Sequence, residues 1–161
     1  MAATDYYPLA KGLVLAYSSD SVEGPSTFKD ECLAVAVKGD KTTATFRKTV
    51  EEPGKPPKVN EFTVTRDSKG VYRYGEKELG LPVKLGKKWT ISPREYKITS
   101  LTETITVPAG TFKDCLEISY LVAGGDGGSG QIYFAPGVGM IRTVCAEEDD
   151  SYKIDLTRYS K

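Results

Sequence analysis

Histidine is absent from this 161-residue chain. That single absence removes every Ser-His and Cys-His nucleophile pair and every histidine-ligated metal site. Cysteine is scarce, at three residues with no C-x-x-C spacing, so zinc ribbons and thioredoxin-like redox pairs have no support. An excess of charge is lacking too. Lys+Arg and Asp+Glu are 22 each, which leaves no basic surplus for nucleic acid and no polybasic patch for anionic lipid. No apolar run approaches the ~20 residues of a membrane-spanning helix. No basic-then-apolar leader opens the chain either, and "MAATDYYPL" reads as the start of a mature domain. The length suits one domain, 1–161, large enough to bury roughly 70% of its extended surface around a single core.

Helical periodicity is nearly missing. Short runs of alternating apolar residues are broken instead by Gly, Pro, Asp and Ser, the pattern of strands and turns. Phe62 and Val64 share a face, as do Tyr72 and Tyr74. Leu79, Leu81, Val83 and Leu85 alternate, with Pro82 on the opposite face marking an edge strand. From Tyr96 to Val107 the apolar phase changes from even to odd positions, which predicts a β-bulge near Thr99 or Ser100. Phe112, Leu116, Ile118, Tyr120 and Val122 then fill one face, with Asp114 the exception, and Cys115 falls on the polar side. Further strands are expected near Ile132–Phe134, Gly139–Cys145 and Tyr152–Tyr159. About ten short antiparallel strands point to an all-β fold, an antiparallel curved sheet or a partly open β-barrel.

The stretch "TVPAGTFKDCLEI" reads as folding punctuation. Pro108 presets a turn, Gly110 takes a positive φ, and Phe112 anchors the returning strand in the core. Cys115 has neither a histidine nor a helix N-terminus to activate it, and with Cys32 and Cys145 it is expected to be a free thiol. A fragmentary echo runs along the chain. Pro8/Pro82 and Gly12/Gly86 are each 74 positions apart, and "TFKDEC" after Pro25 resembles "TFKDC" after Pro108 at an offset of 83–84. Two similar halves would follow if the echo is structural.

The conspicuous chemical words carry little. Gly125 to Gly130 fits G-x-G-x-x-G, but a strand rather than a helix follows, so there is no helix N-terminus to hold a pyrophosphate. Glu147 to Asp150 matches no EF-hand and reads as a solvated hairpin tip. No catalytic residue, cofactor or metal is assigned. Among the aromatic residues, Trp89, Tyr72 and Tyr74 are the candidate contacts with a ligand or partner.

Taken in order, "YYPLAKG", "RDSKGVYRYG", "LPVKLGKKWT", "VPAGTFKDCLEI", "YFAPGVGMIRT" and "YKIDLTRYSK" resemble an uncharacterised group of bacterial exported proteins and lipoproteins. The resemblance implies a curved antiparallel sheet or barrel and a place in the cell envelope, periplasmic or at the cell surface. It implies no catalytic residues. The start of this chain departs from the group in having no signal sequence and no cysteine for lipid attachment. Three functions are left, in order of preference. The first is a non-catalytic envelope domain binding a protein or surface polymer. The second is a carrier or sensor of a small apolar ligand inside a β-barrel. The third is a carboxylate-dependent glycosidase, which needs two acids roughly 5–9.5 Å apart in a cleft.

Overall fold

Alternation is realised as twelve strands and, among the described residues, no helix. The computed structural model describes residues 5–124, 127–148 and 150–161. The strands are β1 (Val14–Ser21), β2 (Gly24–Lys38), β3 (Lys41–Glu51), β4 (Lys58–Arg66), β5 (Gly70–Arg73), β6 (Glu76–Gly80), β7 (Lys88–Ile91), β8 (Arg94–Val107), β9 (Gly110–Val122), β10 (Gly128–Ala135), β11 (Gly139–Glu147) and β12 (Asp150–Ser160). Every pair of consecutive strands is hydrogen-bonded and antiparallel except β6 and β7, and β1 pairs with β12 instead. The result is an up-and-down sheet of order β6-β5-β4-β3-β2-β1-β12-β11-β10-β9-β8-β7, curled into a nearly closed barrel. Its two edges, β6 and β7, face each other across one unsealed seam.

The barrel comprises two six-stranded meanders, β1–β6 and β7–β12. Each opens on the same backbone clamp. The Gly12 N–H donates to the Cys32 carbonyl on β2 and Cys32 donates back to Leu13; the Gly86 N–H donates to Ile98 on β8 and Ile98 donates back to Lys87. The 74-residue echo of Pro-x-x-x-Gly is therefore structural. The second echo is not: it compares β2 with β9, whereas the clamps make β8 the counterpart of β2.

Several expectations are corrected. The alternation from Leu79 to Leu85 is not a strand: β6 stops at Gly80, and Leu85 in the following loop is 60% exposed. Pro82 has no N–H with which to continue the ladder. Tyr72 and Tyr74 do not share a face, because β5 ends at Arg73 and Tyr74 and Gly75 form the hairpin turn with φ of 52° and 76°. The bulge expected in β8 is present between Ile98 and Ser100, and two further register shifts follow it before Ile105. Cys115 does not lie on the polar face. It is fully buried beside buried Leu116, because Asp114 adopts φ +54° and turns the chain by one residue. Asp is among the few residues that tolerate this left-handed conformation, so the apparent exception in the apolar row is where the phase changes.

At the β8–β9 corner, Val107 pairs with Gly110 across the Pro108–Ala109 loop, and Gly110 has φ +143°. The Ala109 N–H donates to the Leu156 carbonyl on β12 at 3.1 Å, tying the corner to the opposite wall. Phe112 is only half-buried, against Tyr159 with ring centroids 6.0 Å apart, and Val107 is the residue that enters the core. All three cysteines are free and buried. Cys145 lies in register with Gly130 and through it with Tyr120, five residues along β9 from Cys115. At the strand rise of about 3.4 Å per residue that is ~17 Å, too far for a disulfide.

The two barrel ends differ. At the base, residues 5–13 cross the opening with Tyr6, Pro8 and Leu13 buried and Ala10, Lys11 and Gly12 exposed: the Gly137 N–H holds the Asp5 carbonyl at 2.8 Å, Tyr6 Oη donates to the Asp114 carbonyl at 3.2 Å, and Arg66 donates to the Tyr7 carbonyl at 2.8 Å. Leu13, Val64, Val71, Leu79, Ile98, Leu116, Ile141 and Leu156 pack the interior around this plug. The opposite end is framed by the turns at 22–23, 74–75 and 92–93.

Candidate functional site: the cavity in the barrel mouth

Above the plug the barrel interior is not filled. A cavity of about 340 Å³ begins at Tyr7, Pro8 and Leu13 and reaches Tyr74 and Tyr152 at the mouth. Its walls are mostly apolar and aromatic, with Leu15 and Tyr17 on β1, Phe28 on β2, Phe46 on β3, and Ile132 and Phe134 on β10. The inward phase of each strand supplies them, and register stacks them. Tyr17 faces Phe28 across β1–β2 with centroids 4.8 Å apart, and Phe46 faces Phe62 across β3–β4 at 5.3 Å. Tyr17 Oη donates to the Met140 carbonyl at 2.7 Å, fixing that ring. Ligand cavities occupy roughly 300–1,000 Å³, so this one is at the small end of a functional size.

Besides Glu76 and Lys77, which follow the 74–75 turn, two charged groups of residues interrupt the apolar lining. The first is held together by its own contacts, with Arg73 Nε left without a hydrogen bond among the described residues. Tyr7 Oη donates to Glu78 Oε2 at 2.6 Å and accepts from Arg73 Nη2 at 3.1 Å, while Arg73 Nε forms an ion pair with Glu78 Oε1 at 3.1 Å. The Arg73 guanidinium also lies 4.4 Å from the centre of the Phe62 ring. A bulge puts Glu78 there. Val71 pairs with Leu79 and Tyr72 with Lys77, which leaves Glu78 as the extra residue. Burial pushes the Tyr7 hydroxyl well above its ordinary range, with the Glu78 carboxylate adding to it. Arg73 remains a cation despite burial, because Tyr7 and Glu78 stabilise its charge.

The second group is open. Asp30 on β2 is the Cα partner of Lys48 on β3, and both line the cavity. Asp30 is 6% exposed, the one charged residue in the buried set among the described residues. Its Oδ1 has no hydrogen-bond partner among them, since Lys48 Nζ stands 3.9 Å away, beyond hydrogen-bond reach. The Lys48 ammonium lies instead 4.5 Å over the Phe28 ring. Desolvation raises the Asp30 carboxyl and lowers the Lys48 ammonium, each toward its neutral form, and the attraction between the two opposes both shifts.

A third cluster sits at the same end of the barrel on the β8–β11 wall, outside the cavity lining. Arg94 Nη2 donates to Glu147 Oε1 at 2.6 Å, and Glu147 Oε2 accepts from Cys145 Sγ at 2.9 Å and from Tyr120 Oη at 3.3 Å. Desolvation raises the Cys145 thiol and Glu147 adds to that, the opposite of what a nucleophilic thiol needs.

No family model matches the chain, and no curated protein matches it. Solved structures that share its fold include two, from Parabacteroides distasonis and Bacteroides fragilis. One, a protein of Parabacteroides distasonis assigned as a lipoprotein, superposes with a TM-score of 0.65 at 14% identity over 99% of this chain and 100% of that one. The other, a protein of Bacteroides fragilis assigned as exported and as having a YmcC-like fold, superposes with a TM-score of 0.68 at 12% identity over 99% of this chain and 100% of that one. At such identities the likeness is one of fold.

The barrel does not bring the three aromatic candidates together. Tyr74 stands at the mouth, 74% exposed, and lines the cavity. Trp89 is buried behind Tyr96, stacked on it at 5.7 Å, and its indole N–H crosses the seam to the Lys77 carbonyl at 3.0 Å. Tyr72 is outside the cavity lining, with Lys77 Nζ 5.8 Å from its ring centre. Pro108, Gly110 and Phe112 are at the base, away from the cavity. Gly125, Asp126 and Asp149, parts of the glycine-rich and acidic words, lie outside the described residues. Asp30, Lys48, Arg73 and Glu78 went unnoticed in the sequence. The available signal was a charge in an apolar phase: Phe28-x-Asp30-x-Cys32 and Ala44-x-Phe46-x-Lys48 each place one on the face that alternation assigns to the interior.

Proposed function

We propose that the chain is a non-catalytic binding domain of the bacterial cell envelope that holds a small, mainly apolar ligand in the barrel mouth. The observation that carries this reading is the 340 Å³ cavity inside a barrel whose other end is plugged by its own N-terminal segment. The apolar walls supply the driving force, at roughly 25 cal/mol per Å² of ligand surface removed from water. The lipoprotein and exported assignments of the two structural neighbours support a place outside the cytoplasm. The absence of histidine, and the engagement of Glu78 with Arg73 and Tyr7, support a role without catalysis.

Titration with N-phenylnaphthylamine, a neutral apolar fluorophore, tests the reading. Saturable binding at one site per chain is expected. Ile132→Trp, which fills the cavity, should weaken binding by at least about tenfold while the β circular dichroism is unchanged. Absence of saturable binding by the unaltered protein overturns the reading.

A further inference from the structure

We infer that the cavity selects ligands whose polar end is an uncharged hydroxyl, bridged between Asp30 and Lys48. This rests on the proposed binding role and specifies its chemistry. Two observations converge. Asp30 Oδ1 is a buried acceptor on the cavity wall without a donor among the described residues, and Lys48 Nζ is a donor 3.9 Å from it on the neighbouring strand. A buried acceptor left unsatisfied is penalised, so a ligand that satisfies it binds roughly tenfold or more tightly than one that cannot. A hydroxyl is both donor and acceptor. Placed beside the pair, it donates to Asp30 Oδ1 and accepts from Lys48 Nζ, whereas an ether oxygen accepts only.

The charges argue in the same direction. Asp30 and Glu78 face Lys48 and Arg73, so these four residues sum to zero before any ligand arrives. A carboxylate or ammonium head would bring an uncompensated charge into a mostly apolar chamber, and that is penalised far more than a dipole. In the Tyr7–Glu78–Arg73 group the Tyr7 hydroxyl is bonded on both sides and Arg73 Nε, a donor with no hydrogen bond among the described residues, is ion-paired with Glu78 at 3.1 Å, which leaves Asp30 Oδ1 as the buried acceptor that a ligand donor satisfies.

The experiment displaces bound N-phenylnaphthylamine with ligands matched in carbon count: n-nonanol, methyl octyl ether, nonanoate and nonylammonium. The unaltered protein should prefer n-nonanol to methyl octyl ether by roughly tenfold or more. Asp30→Leu combined with Lys48→Met should erase that preference and still bind the fluorophore. Asp30→Asn, which leaves the Lys48 charge uncompensated, should raise nonanoate affinity by roughly tenfold, and it serves by itself if the double variant does not fold. Equal affinity for alcohol and ether, or no gain for nonanoate in Asp30→Asn, overturns the hydroxyl assignment while fluorophore binding leaves the binding role standing. Failure of the fluorophore to bind the unaltered protein removes the binding role itself.

Discussion

At the scale of single residues, the chain's most eye-catching word is a bend. Gly110 has φ +143°, and a Cβ built there would touch nothing within 4 Å, so any cost of substitution comes from the backbone alone. Gly110→Val should therefore destabilise by about 1–2 kcal/mol in urea unfolding without altering cavity binding. Gly130 is the converse case. Its added Cβ would run into the Tyr120 ring, which is buried and bonded to Glu147. Gly130→Ala should cost ~1–3 kcal/mol by overpacking. Phe112→Ala should cost only about 2 kcal/mol, below the 3–5 of a fully buried phenylalanine, because the ring is only partly buried. Turn chemistry of the Pro108–Gly110 kind was legible because it is local. The burial of Cys115 was not, since it depends on Asp114 taking a left-handed conformation, which composition permits but does not announce.

At the scale of elements, alternation disclosed several of the long strands, passed over β2 and β3 with their 15 and 11 residues, and failed at the short ones. β4, β8, β9, β11 and β12 run nine residues or more, enough for a period of two to declare itself. β5, β6 and β7 have four or five residues, and there a Pro in the alternation or a Gly in the turn outweighs the pattern. Those short strands make the seam. β6 and β7 present unpaired edges, and the indole bond from Trp89 to the Lys77 carbonyl crosses between them. Trp89→Phe keeps the stacking on Tyr96 and removes the latch. It should cost roughly 1 kcal/mol, with loss of amide-exchange protection concentrated in β6 and β7. Loss spread evenly over the barrel would count against a local latch. The cavity's polar residues were invisible at this scale for a related reason. Asp30 and Lys48 belong to different strands, and only the β2–β3 register, which no residue pattern states, makes them neighbours.

At the scale of the whole molecule, the equivalent clamps at Gly12 and Gly86 make the β6/β7 seam the counterpart of the β12/β1 junction. One junction is zipped along eight partnered positions and the other is left open, so a near-symmetric plan yields an asymmetric barrel. Its interior is rich in groups that lose a proton only at high pH, and this sets how the fold should fail. Burial raises Tyr7, Tyr17 and Tyr120 well above their ordinary value near 10, and Tyr133 and Tyr152 to about 12. It raises Cys115 from near 9 to about 11, and Cys32 and Cys145 in the same direction. Each is neutral when protonated and has its folded value above its unfolded one. Above about pH 9 the unfolded chain therefore releases protons that the folded chain keeps, and stability falls as pH rises. Lys48, with its folded value lowered, acts in the opposite direction but is one group against eight. The melting temperature should decline steadily from about pH 9 to pH 12, and the tyrosinate absorbance of the buried rings should appear together with loss of β circular dichroism rather than ahead of it. A melting temperature unchanged across that range, or tyrosines that ionise fully in a still-folded barrel, would show that the interior is wetter than this packing requires.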